Sequence, residues 1–157
     1  MTNQVAATPA RPEHSINLLV SDWLLIDATM DNHVNSAIDG AVPSGSEWES
    51  PGDARAETGA TRPPAVARLG ISIRQAGWDQ IPGWPHDVEG FRTWPAPGQT
   101  ATVTLTGVQW RLVVVALRHW AAVAESLSDA EVAARSRAIA TALVRRLTER
   151  GRSPESP

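Results

Sequence analysis

The stretch TATVTLTGVQWRLVVVALRHW, Thr100–Trp120, changes its hydrophobic period halfway along, and that change decides the fold. Its first half alternates threonine with alanine, valine and leucine. Alternation of this kind marks a half-buried strand, because successive side chains leave a strand on opposite faces. From Gly107 the apolar spacing lengthens to that of a helix, GVQWRLVVVALRHWAAVAESL. Val113, Leu117, Trp120, Ala124 and Leu127 then share one face. Trp110 lies off that stripe, so Trp120 is the indole expected in the core, and Trp110 is expected to matter less unless it closes over the sheet. Thr106 or Gly107 can cap the helix, which lets the strand pass into the helix without a loop.

The same grammar occurs earlier in the chain. Ile16–Val20, INLLV, suits a strand, and Ser21 can cap a helix that begins SDWLLIDATMDNHVNSAI, with Asp22 in its first turn. Trp23, Ile26, Met30, Val34 and Ala37 form its stripe, and Gly40 is a plausible stop. Setting Trp23 against Trp110 aligns Leu18 with Leu105, Leu25 with Leu112, Ile26 with Val113 and Met30 with Leu117. The match is short, and shared architecture explains it as well as duplication does. It suggests that the two strands pair and that the two helices pack on one face of the sheet.

Two further helices complete the reading. Pro63–Pro64 opens PAVARLGISIRQA, with Val66, Leu69, Ile73 and Ala76 on its apolar face and Gly77 placed as a C-cap. SDAE, Ser128–Glu131, reads as a capping box for a last helix with Val132, Ile139, Leu143 and Leu147 inward. The gap before it is short enough to predict an antiparallel helical hairpin. We therefore expect an α+β fold, mostly helical, with about four helices, a small two-stranded sheet and a Trp/Pro-rich connecting segment. A single globular domain is expected over 14–150. A disordered N-terminal arm, 1–13, a disordered internal loop, 40–62, and a disordered tail, 151–157, follow from segments too polar to offset ordering entropy. Trp48 stands alone in the loop, either docked back on the domain or serving as a short binding motif.

Composition narrows the function classes. A net charge of −3 argues for neither nucleic acid nor an anionic membrane. The chain has no cysteine, which excludes disulfides, thiol catalysis and cysteine-ligated metals. The N-terminus lacks the basic region and apolar run of a secretory signal, and no apolar run is long enough to span a bilayer. The expected location is the cytoplasm. No zinc-ligand spacing, nucleophile elbow, phosphate loop or dinucleotide fingerprint is present, and no cofactor or metal is expected.

The candidate site is Gly77–Pro95, GWDQIPGWPHDVEGFRTWP, which holds three of the seven tryptophans and the one phenylalanine. Its glycines and prolines stiffen an extended backbone from which large side chains project. In an alanine-rich chain these indoles can close the core. Trp78 and Trp94 are expected to be buried for that purpose, against the helix Pro64–Ala76 and the final hairpin. Trp84 is expected to be partly exposed, and Trp84, Pro85, His86 and Arg92 are the candidate ligand or partner contacts. Elsewhere, Asp27 and Asp31 share a helix face, while His33 falls on the opposite flank of the apolar stripe. A salt bridge to Arg74, Arg111 or Arg118 is the simplest use of those acids. The leading functional expectation is a non-enzymatic accessory or protein-interaction module. The rival is a small-molecule or peptide-binding domain built on Trp78–Trp94. A hydrolase or metal-dependent enzyme using Asp27, Asp31 or His86 stands third.

Overall fold

The computed structural model describes residues 11–49 and 62–151. The expectations for 1–10, 50–61 and 152–157 lie outside the described residues. The fold is α+β and mostly helical. In chain order it comprises β1 (Glu13–Leu19), α1 (Val20–Ile38), α2 (Ala65–Gln80), β2 (Thr100–Thr106), α3 (Gly107–Ser126) and α4 (Ala130–Arg150). The strands pair antiparallel, from Glu13 opposite Thr106 to Leu19 opposite Thr100. Ile16, Leu18, Val103 and Leu105 face the helices. On the other face Ser15 and Thr104 share a hydroxyl hydrogen bond of 2.7 Å, and Asn17 Nδ2 donates to Thr102 Oγ1 at 3.1 Å. Alternation thus divides the ribbon into an apolar and a hydrogen-bonded polar face.

β1 begins at Glu13, earlier than Ile16, because its polar residues find threonine partners across the ribbon. It also ends earlier. Val20 N–H donates to Gln99 O at 2.9 Å, so strand pairing satisfies the first helical amide. Leu19, not Ser21, is the N-cap residue of α1, and no side chain caps it. α3 follows the expected course. Thr106 Oγ1 accepts from Gln109 N–H and Gln109 Oε1 accepts from Thr106 N–H, a reciprocal cap. In the α3–α4 hairpin the cap of α4 moves one residue on from Ser128. Ser128 takes a positive φ of 63° in the tight turn, and Asp129 accepts from Val132 N–H.

The end of α2 is the largest departure from the sequence reading. The helix continues through Gly77 to Gln80. Gly77 is there for close approach, since a Cβ on it would lie 2.2–2.4 Å from the Trp23 indole. Gly70, two turns earlier, meets Val34 and Met30 in the same way. The two glycines let α2 settle tightly on α1, which offsets the roughly 1 kcal/mol that each glycine costs a helix interior relative to alanine.

The core gathers between the ribbon and the helices. Trp23 and Trp110 are both wholly buried. Trp110 closes over the sheet, its Nε1–H donating to His14 O at 2.9 Å. Trp120 is only partly buried, which reverses the order expected for these two indoles. α3 packs on α4 as well as on α1, so its buried face is wider than one stripe and takes in Trp110, Leu112, Val113 and Val114. Leu127 and Val132, both expected inward, are exposed because they flank the hairpin turn beyond the core. After Gly40 the chain touches the domain at Val42, Ser44 and Trp48. Val42 is buried, Ser44 Oγ accepts from Val66 N–H in the first turn of α2, and Trp48 lies half-buried under the Arg111 guanidinium at 5.1 Å. No helix among the described residues is long and apolar enough to cross a membrane.

Candidate functional site

The aromatic segment starts on the last turn of α2. Trp78, expected in the core, is 46% exposed. Extending α2 by a turn puts Gly77 against α1 and swings its neighbour Trp78 away from that contact. Arg74, one turn earlier, lies 5.1 Å from the Trp78 ring centroid. Its guanidinium also spans the paired acids of α1. Nε donates to Asp27 Oδ1 at 3.1 Å and Nη1 donates to Asp31 Oδ1 at 2.6 Å. Of the three arginines considered for these acids, Arg74 makes the bridge. The hydrogen bond to Asp27 holds its pKa above the ordinary arginine value.

Beyond α2, Ile81 buries itself as a plug and Gly83, at φ 83°, turns the chain. A positive φ there suits glycine and would strain any other residue. Trp84, Phe91 and Trp94 then pack on one another. Ring centroids are 5.1 Å apart for Trp84–Trp94, 5.8 Å for Phe91–Trp94 and 6.5 Å for Trp84–Phe91. Asp87 Oδ1 accepts from Gly90 N–H at 2.9 Å and fixes the turn that returns the chain to this cluster. Trp84 and Trp94 are half-buried by it, whereas Phe91 remains 45% and Val88 86% exposed. Pro85 is half-buried and packs close to Gly90. His86 is exposed, and Arg92 is exposed with a 3.5 Å ion pair to Glu89. Of the four candidate contacts, the structure joins Trp84 and Pro85 to the aromatic cluster and leaves His86 and Arg92 at its rim. Asp27 and Asp31 are held by Arg74, with no bond to His86.

A second titratable cluster escaped the sequence reading. His33 is buried between α1 and α3, and its Nδ1 accepts a 3.1 Å hydrogen bond from Trp120 Nε1–H. The His119 ring meets it edge-on at 5.8 Å and meets Trp120 at 5.1 Å. Burial, reinforced by His119, lowers the His33 pKa to about 4. The neutral imidazole is therefore a structural acceptor, and being enclosed it does not face solvent as an acid or base must. A signal for its burial existed. His33 follows Ile26 by two helical turns and so shares its direction. Among the described residues no three histidine or carboxylate side chains lie close enough to share a metal ion.

Comparison with protein-family models, with curated proteins and with solved structures gave no match.

Proposed function

We propose that this chain is a non-enzymatic protein-interaction module whose contact face is the Trp78–Trp94 segment. The observation that carries the reading is the outward placement of Trp78, Val88 and Phe91 on a segment whose other aromatic residues are packed. Trp84 and Trp94 hold Phe91, and the Arg74 guanidinium stacks on Trp78, so the exposed rings lose little freedom when a partner covers them. Large, pre-ordered aromatic side chains supply a disproportionate share of interface energy. The mutual packing of Trp84, Phe91 and Trp94 fills the space between the rings, which favours a contact face over the small-molecule or peptide pocket of the rival reading. Asp79, Asp87 and Glu89 are exposed in the same segment and outnumber Arg92. The partner that fits is a protein with an apolar patch rimmed by basic residues.

The test is comparative affinity purification with the parent chain and a Trp78→Ser/Phe91→Ser double variant. Circular dichroism first establishes that both are folded. A partner retained by the parent chain and depleted about tenfold or more by the variant is the expected result. Equal retention of every partner, or a partner whose contact patch is acidic, overturns the reading.

A further inference from the structure

A second surface, of different character, follows the outer edge of β1. Among the described residues the sheet has two strands, so each carries one edge with no described strand beside it. The edge of β2 is closed by a neutral group at both backbone atoms of Thr104. Gln80 Nε2 donates to Thr104 O at 2.9 Å and Gln80 Oε1 accepts from Thr104 N–H at 2.6 Å. The edge of β1 is closed differently. Val20 N–H points to Gln99 of the β2 side, and with period two the even residues of β1 do the same. Ser15 and Asn17 therefore direct their backbone groups outward. Among the described residues one of these groups has a partner, the carbonyl of Asn17, which accepts from the Arg146 guanidinium of α4.

α4 forms a wall along this edge. Arg146 stands at Asn17, and Arg135 reaches Ser21 O at 2.9 Å at the far end. Two open hollows lie between wall and strand and share Arg146. One, of about 470 Å³, is lined by Ile16, Asn17, Arg146, Glu149 and Arg150. The other, of about 190 Å³, has an apolar floor that includes Leu18, Ile139 and Leu143, with Asp22 at its side. Asp22 is already paired with Arg135 at 3.4 Å. Arg146 is spent on a neutral carbonyl, and Arg150 has no carboxylate partner among the described residues. Positive charge is thus in excess over Glu149 in the larger hollow.

We infer that the β1 edge, walled by α4, is a docking groove in which an extended acidic segment of a protein partner adds as a third strand. The incoming backbone N–H takes over the Asn17 carbonyl, and incoming carbonyls accept from the Ser15 and Asn17 amides. Strand addition of this kind draws affinity from main-chain hydrogen bonds and specificity from alternate side chains. Arg146, released from a neutral acceptor, turns to a carboxylate of the partner, a stronger charge-assisted bond, and Arg150 takes another. Pairing β1 with the β1 of a second copy, Asn17 opposite Asn17, would bring two Arg146 side chains together. The inference is independent of the aromatic face.

The probe is a short capped peptide alternating glutamate and valine, titrated into the full-length ¹⁵N-labelled chain. The expected result is a set of amide shifts centred on Ser15 and Asn17, weakening with salt. An Arg146→Gln/Arg150→Gln variant should lose about tenfold or more in affinity. The same peptide N-methylated at alternate residues should not bind, a control that leaves the protein untouched should the variant fold poorly. Equal binding by a lysine–valine peptide or by the N-methylated peptide overturns the inference. So do shifts confined to Trp78–Trp94, or concentration-dependent shifts at Ser15 and Asn17 without peptide, which would assign the edge to a second copy.

Discussion

Trp110 and Trp120 lie on one helix, yet the structure gives them different duties. Trp110 is enclosed and its indole N–H satisfies the carbonyl of His14, a residue of the strand that the helix covers. Truncation there leaves a large cavity and removes the indole's hydrogen bond to the His14 carbonyl. Trp110→Ala should cost about 3–5 kcal/mol, the range of aromatic truncations in cores. Trp120 is partly exposed and bonds His33. Trp120→Ala leaves a site that water can reach in part, and should cost about 1–3 kcal/mol. Urea unfolding of the two variants checks the order, and equal losses would contradict this assignment of the core. The stripe of α3 read from its sequence put the two in the opposite order, because a single stripe assumes one packing partner. α3 has several, and the residue off the stripe is the one that faces the sheet.

At the level of elements, much was legible where local chemistry decides and little where a neighbour decides. The two strands, the four helices, a cap at Thr106 or Gly107 and the α3–α4 hairpin all follow from period and capping residues near them in sequence. The end of α2 does not. A glycine after an apolar stripe reads as a stop, and only the indole of Trp23 on another helix explains why Gly77 is continued through. The candidate site was legible as a tryptophan-rich segment, but the exposure of Trp78 depends on that same extra turn. The His33–Trp120–His119 contact between α1 and α3 was illegible for the same reason, since His33 is far in sequence from the other two. It has a consequence for pH. His33 is held neutral with a pKa of about 4, whereas the unfolded chain titrates near 6.5. Between these values the unfolded state binds the extra proton, so stability is fully present above about pH 6.5 and falls as pH drops towards 4. The loss is steepest between these two values. His33→Gln removes the titrating group, and urea unfolding at successive pH values should show a flatter profile than the parent chain. Parallel profiles would mean that His33 is solvated in the folded state.

For the whole molecule, the ribbon holds two helical halves together, and its stability depends on how its edges are treated. A two-stranded sheet has no inner strand, so each strand presents bare N–H and C=O groups that invite pairing with another chain. On β2 the Gln80 amide occupies both groups of Thr104, standing in for a neighbouring peptide while tying the last turn of α2 to the sheet. Gln80→Ala removes two hydrogen bonds at an exposed site, which should cost about 1–2 kcal/mol. It also uncovers an edge whose remaining side chains are small and neutral threonines. The variant should therefore self-associate with rising concentration when compared with the parent chain. Gln80→Glu separates these effects. Its carboxylate can still accept from Thr104 N–H but repels the carbonyl, so stability should again fall. Its charge, however, deters a second strand, and association should not increase. Chemical unfolding and light scattering across a concentration series read the two quantities separately. If Gln80→Ala loses stability but associates no more than Gln80→Glu, the amide serves only to tie α2 to the sheet, and the edge of β2 is protected by something else.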